Sequence, residues 1–154
     1  MIHINKIMHP TDFSANSNHA LKYACALASH FGAELHVVHV VADLALVTLP
    51  PVDGYLPEGY YQDAKKHAEE ELAKIPDREL IGKTPVTKKT VDGSPFLEII
   101  RYAHDNQMDI IVMGTHGYSG LTHMLMGSIA EKVVRKSPCP VLTVHPEEHE
   151  FVMP

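Results

Sequence analysis

Apolar residues along this chain fall into two alternating rhythms, and the alternation predicts the fold class. Short runs rich in β-branched residues recur at Ile4–Met8, Leu35–Val41, Val86–Val91, Asp109–Met113 and Val141–Val144. Each has the length of a strand, and a continuous apolar run such as the one from Ile110 to Met113 suits a strand buried on both faces. Between them lie longer stretches whose apolar positions repeat every three to four residues. In the first, Ala20, Ala24, Leu27, Ala28 and Phe31 share one face of a helix that starts at Ser14 and ends at Gly32, a residue suited to closing a helix. The second, Gln62–Ile75, is rich in Glu and Lys, stops before Pro76 and should be largely solvated. The third takes Ser94 as N-cap and Pro95 as its first residue, with Phe96, Leu97, Ile100 and Ala103 inward. The fourth opens at Ser128, where Ser128-Ile-Ala-Glu131 fits a capping box, and Pro138 stops it. Five strands alternating with four helices predict an α/β domain built on a parallel sheet.

Two segments stand outside this rhythm. Residues Asp43–Tyr61 carry Pro50, Pro51 and Pro57 and show no period, which fits either a functional flap or a mobile excursion. The tail after Pro146 is acidic. One domain over residues 1–146 followed by a short tail, 147–154, is the expected organisation.

Length and charge narrow the function. A chain of 154 residues buries enough surface for one domain with a real core, and 45% hydrophobic with 21% charged residues is an ordinary globular composition. A net charge of −6, with no basic run longer than Lys88-Lys89, argues against non-specific nucleic-acid binding, which depends on Lys and Arg neutralising phosphates. It does not argue against a small phosphorylated ligand, because backbone N–H groups at a helix end hold such anions without net positive charge. The N-terminal residues lack the pattern of a secretory signal, and no apolar stretch approaches the roughly 20 residues of a membrane span. A cytoplasmic location without a membrane span is therefore expected. Cys25 and Cys139 lie far apart and outside any Cys-x-x-Cys pair, so both read as small buried hydrophobes. The twelve histidines do not fall at metal-site spacings; His36 and His39, three apart on a strand, face opposite sides of the sheet.

The sharpest chemical signal runs from Met113 to Ser128, between the end of a buried strand and the first turn of a helix. Gly114, Gly117, Gly120 and Gly127 fall within fourteen residues of one another. Glycine at 114 and 117 lets the backbone take positive φ and approach a ligand closely, and Gly127 with Ser128 opens a helix whose first N–H groups lack partners. Strand, glycine loop and helix start form a phosphate-binding arrangement. The plain alternative is that the glycines only turn a loop and cap a helix. Neither a Gly-x-x-x-x-Gly-Lys-Ser/Thr loop nor a Gly-x-Gly-x-x-Gly after the first strand is present, which disfavours a P-loop NTPase and an NAD-binding domain.

Gly114-x2-Gly117-x9-Gly127-Ser128 resembles the ATP-binding motif of the universal stress protein family in spacing and residue type. The stretches His9-Pro-Thr-Asp-Phe-Ser14 and Ser137-Pro-Cys-Pro-Val-Leu-Thr-Val144 resemble that family too, so the likeness spans essentially the whole chain. The resemblance implies a Rossmann-like three-layer α/β/α sandwich, its five-stranded parallel sheet in the order 3-2-1-4-5, with ATP between strands one and four. That agrees with the rule that ligands sit beyond the carboxyl ends of strands where the winding reverses. By the same resemblance, Pro10, Thr11 and Asp12 border the adenosine and Val40 meets the adenine ring. Met113, Gly114, His116 and Gly117 line the ribose and phosphate path, and Gly127, Ser128 and Ile129 hold the phosphates. The resemblance admits a divalent ion, Mg2+ or Mn2+, beside them. Gly120, inside the nine-residue spacer, departs from the bare motif. Asp12 also reads as a charge beside the positive end of the first helix, and His116 as a solvated loop residue.

The last strand should form a sheet edge whose unpaired backbone invites another strand, and the resemblance implies a homodimer through it; a tail folded over the edge is the alternative. The function expected is a dimeric regulatory module whose adenine-nucleotide occupancy tunes conformation or the binding of a regulatory protein. The rivals are a slow ATP hydrolase, a nucleotidyl-transfer enzyme of a related α/β group, and an interaction protein with an empty pocket. Adenylyl transferases of that kind carry a His-x-x-His-type motif after the first strand, and the residues from Thr11 to His19 offer no such pair.

Overall fold

The structure is a computed structural model, and it describes residues 2–42, 59–75, 84–117 and 126–146. Five parallel strands, β1 (Lys6–Pro10), β2 (Glu34–Ala42), β3 (Val86–Gly93), β4 (Ile110–Gly114) and β5 (Val141–Val144), form one sheet in the order β3-β2-β1-β4-β5. Helices α1 (Ala15–Phe31) and α2 (Tyr60–Lys74) cover one face; α3 (Pro95–Asp105) and α4 (Ser128–Lys136) cover the other. The strand order, 3-2-1-4-5, is the one the family resemblance implies, and the winding reverses between β1 and β4.

The pleat sends alternate residues to the two faces and splits the core in two. Ile7, Leu35, Val37 and Val112 pack against Ala20, Ala24 and Ala28 of α1 and Leu72 of α2. Met8, Val38, Ile111 and Met113 pack against Ile99 and Ala103 of α3 and Ala130 and Val133 of α4. Alanines on α1 let the helix lie close to the sheet, and α2 buries only Ala68 and Leu72, as its charged sequence predicts. His36 faces α3, where Nδ1 lies 2.9 Å from the Tyr102 hydroxyl, while His39 stacks on Phe13 from the other side, so the two do face opposite ways.

Boundaries and helix faces differ from expectation in instructive ways. Strand β1 runs to Pro10 instead of ending at Met8, because the missing proline N–H falls beyond the β1–β4 ladder, which pairs only Ile7 and Met8. Asp109 lies just outside β4; its carboxylate accepts from the Asn5 and Lys6 N–H groups at 2.7 and 2.9 Å. On α3 the inward residues are Ile99 and Ala103, with Phe96 beside them, whereas Leu97 is 51% exposed. Phe31, at the last position of α1, is likewise exposed.

The ends of α1 follow the sequence closely. Ser14 accepts from the Ser17 N–H at 3.2 Å, and Gly32 closes the helix at φ 65°, a left-handed conformation that glycine adopts without steric cost. Replacing Ser14 by Ala should destabilise the protein by about 1 kcal/mol, the usual worth of such a cap, read from the midpoint of urea denaturation. Of the Asp43–Tyr61 connection, read as either a flap or an excursion, Tyr60 and Tyr61 belong to α2, while residues 43–58, the spacer from 118 to 125 with Gly120, and the tail from 147 lie outside the described residues.

Candidate functional site

At the carboxyl edge of the sheet, where the winding reverses, β1, β2 and β4 end around a cavity of about 330 Å³. That is within the range of about 300–1,000 Å³ common to small-molecule sites. Three separate stretches of chain build it. The β1–α1 turn contributes Pro10, Thr11 and Asp12, and the end of β2 contributes Val40. The end of β4 contributes Met113, Gly114, His116 and Gly117, and the start of α4 contributes Gly127, Ser128 and Ile129. All eleven residues singled out in the sequence thus line one cavity.

The β1–α1 turn is held by its own side chains. The Asp12 Oδ1 accepts from the Ser14 N–H at 3.0 Å, so this carboxylate both lines the cavity and supports the start of α1. Thr11 Oγ1 accepts from the Phe13 N–H and the Ser17 hydroxyl, each at 3.0 Å, and the Thr11 N–H donates to Val38 O at 2.9 Å. Phe13 sits at φ 63°, a strained conformation for an aromatic residue, and its ring stacks on His39 with centroids 4.5 Å apart.

Two histidines beneath the turn are kept neutral by burial. His9 is fully buried; its Nδ1–H donates to Val112 O at 2.8 Å across the β1–β4 junction, and Ser17 Oγ lies 3.4 Å from Nε2. Loss of hydration pushes the His9 pKa down to about 4, although the Val112 carbonyl and the Asp12 charge favour the protonated ring. Burial lowers the His39 pKa too, against the opposing pull of the Thr11 carbonyl, to which Nδ1–H donates at 2.8 Å, and of Asp12.

The glycine segment differs from its sequence rationale in one respect. Gly114, Gly117 and Gly127 do not take positive φ; Gly127 lies at φ −70° and ψ 153°. Their small size matters through close approach instead. A Cβ at Gly114 would sit 3.3 Å from the Asn16 carbonyl oxygen, one at Gly117 2.7 Å from Asp12 Oδ2, and one at Gly127 3.3 Å from the Thr115 oxygen. Glycine here lets the β4 end lie against the start of α1 and against the start of α4.

The expected capping box at Ser128 is not formed. Gly127 is the N-cap and Ser128 the first helical residue, with no side-chain capping bond. The short path from Thr115 explains this. The Gly127 N–H donates to Thr115 O at 2.7 Å and thereby sets where the helix begins. The N–H groups of Ser128, Ile129 and Ala130 therefore have no acceptor within the helix, and all three residues line the cavity. The first N–H accepted within α4 is that of Glu131, by Gly127 O at 3.0 Å.

Sequence reasoning missed several lining residues, among them Ser17, Val38, His39, Pro95, Ile99 and Thr115. Ser17 carried a legible signal: it occupies the same stripe as Ala20, Ala24 and Ala28, where a polar residue interrupts an apolar face. Thr115 is fully buried; its N–H donates to Val144 O at 2.9 Å, and its Oγ1 lies 3.0 Å from His116 Nδ1. Val38, Pro95 and Ile99, with Val40, give the β2 side of the cavity an apolar wall. Asp12 is the single carboxylate among the described lining residues, and among the described residues no cluster of three or more His, Cys, Asp or Glu side chains could hold a metal ion. No described helix is long and apolar enough to cross a membrane.

This architecture has known counterparts. Residues 3–145 match the model of the universal stress protein family. A relative from Methanocaldococcus jannaschii, universal stress protein MJ0531, is 34% identical over 145 residues, covering 94% of this chain and 84% of its own. The solved structure of MJ0577, from the same organism, superposes with a TM-score of 0.80 at 30% identity, covering 96% of this chain and 100% of that one. Two more distant structures share the fold: a universal stress protein in complex with cAMP and an Arabidopsis thaliana family protein with AMP bound. Their TM-scores are 0.62 and 0.63 at 23% and 16% identity, and the matches cover 95% and 94% of this chain and 100% and 93% of theirs. With the family's sequence pattern, its sheet order and a cavity at the reversal point all present, this chain belongs to the universal stress protein family.

Proposed function

We propose that the cavity binds an adenine nucleotide, ATP in the first instance, and that the protein is a regulatory module whose occupancy tunes its conformation or its binding to a partner protein. The observation that carries this reading is the convergence of an apolar wall and three helix-start N–H groups on one cavity. The wall of Val38, Val40, Pro95 and Ile99 suits a purine ring, and the α4 start suits a phosphate. Family structures with cAMP and AMP bound support an adenine nucleotide as the ligand. A divalent cation, if it enters with ATP, would meet one carboxylate among the described lining residues, Asp12, and would be held mainly by the phosphates, whose charge it offsets.

Regulation is favoured over catalysis because the groups able to move a proton are engaged in holding the fold. Asp12 Oδ1 is committed to Ser14, His39 Nδ1 to Thr11 and His116 Nδ1 to Thr115. Hydrolysis faster than about 1 per second, the lower end of ordinary enzymes, would replace this reading. The homodimer is proposed through β5, an edge strand on which Leu142 is exposed.

The direct test is thermal denaturation with added ATP. At a ligand concentration about a hundredfold above Kd, binding to the folded state alone should raise Tm by about 5–10 °C. No shift, together with no nucleotide released from denatured purified protein, would remove the reading.

A further inference from the structure

Three features set the charge at the phosphate end of the cavity, and they concern which nucleotides it prefers. No lysine or arginine is among the described residues that line it, while Asp12 contributes a carboxylate. Two of the three cations of α4 are directed elsewhere, the Lys132 ammonium over the Phe96 ring at 5.9 Å and Arg135 in a pair with Glu131 at 2.9 Å; the third, Lys136, ends the helix at the far side from the cavity. Lys65, on α2, pairs with Asp92 at 3.1 Å. Residues 118–125 and 43–58, which continue from the cavity's β4 and β2 ends, contain no lysine or arginine in their sequence. Arg78 and Lys83 fall in the sequence between α2 and the start of β3, and that start pairs with the start of β2, at the edge of the sheet opposite the cavity.

An anion here is therefore met by backbone N–H groups and the partial positive charge of one helix end. Those donors are enough for one phosphate group. Each further phosphate adds negative charge beside Asp12 with no lysine or arginine among the described lining residues to offset it, unlike a P-loop, where a lysine reaches the β- and γ-phosphates. Resting on the proposed nucleotide site, we propose that the cavity selects its ligand by the adenosine and a single phosphate group. AMP and ADP then bind about as tightly as ATP when no divalent cation is present.

Calorimetric titration of the full chain with AMP, ADP and ATP, first in EDTA and then in excess Mg2+, tests this. In EDTA the three dissociation constants should fall within about tenfold of one another, with ATP no tighter than AMP. Mg2+ should tighten ATP by about tenfold or more and leave AMP within about twofold, since it acts through the added phosphates. ATP binding more than about tenfold tighter than AMP in EDTA, or an equal response of both to Mg2+, would overturn the inference while leaving the nucleotide site intact. Failure of all three to bind under either condition would instead remove the site itself, and the inference with it.

Discussion

Ser128→Pro is expected to weaken nucleotide binding by about 10–100-fold while leaving the fold in place. Ser128 is the first residue of α4, a position where proline is well tolerated because the N–H it removes has no helical acceptor. The residue before a proline must be extended, and Gly127 already lies at φ −70° and ψ 153°. The substitution therefore removes one backbone donor and one hydroxyl from the cavity without disturbing the helix. One hydrogen bond to a charged group is worth about 1.5–3 kcal/mol, and loss of the backbone donor alone sets the range. Ser128→Ala, which removes only the hydroxyl, separates the two contributions. Affinity would be read by titration and the fold by thermal denaturation; unchanged affinity in the proline variant would mean that the phosphate lies elsewhere.

Acid should destabilise the protein steeply through His9. Its folded pKa, about 4, lies below the ordinary value of 6.5, so between those values the unfolded chain takes up a proton that the folded chain refuses. The stability that the neutral ring contributes is fully present above about pH 6.5 and is lost as pH falls towards 4. At about 1.4 kcal/mol for each tenfold change in the protonation equilibrium, the loss from pH 7 to 4.5 is about 2–3 kcal/mol. Burial lowers the His36 and His39 values as well, so those rings act in the same direction. His9→Gln keeps a donor that can reach the Val112 carbonyl and does not titrate. Urea denaturation at the two pH values should show that variant losing about 2–3 kcal/mol less than the parent, and equal losses would contradict the assignment.

What was legible in the chain depended on how local its cause was. The ends of α1 were read correctly because Ser14 and Gly32 act on their own turns. The cavity residues are named together because the glycine spacing and the flanking stretches resemble a known family's motif, and the topology brings them to one place. The phase of α3 was not legible: Phe96, Leu97, Ile99, Ile100 and Ala103 offer two overlapping apolar faces, and only the packing of Ile99 and Ala103 against the sheet and α4 decides between them. The start of α4 at Ser128 is legible, but its cap is not, for a similar reason. Ser128 has the local chemistry of a cap, but the long-range bond from Gly127 N–H to Thr115 O sets the boundary. The network joining His9, Ser17 and Thr11 was equally hidden, since it depends on α1 lying across the end of β1.

Thr115 fastens the last strand and the fourth helix to the end of β4 through its own main chain, and those fastenings do not use residues 118–125. The two ends of that span are thus held together independently of what joins them. Added length there carries only the slowly growing entropy of closing a larger ring, so the scaffold tolerates insertion and divergence in the spacer.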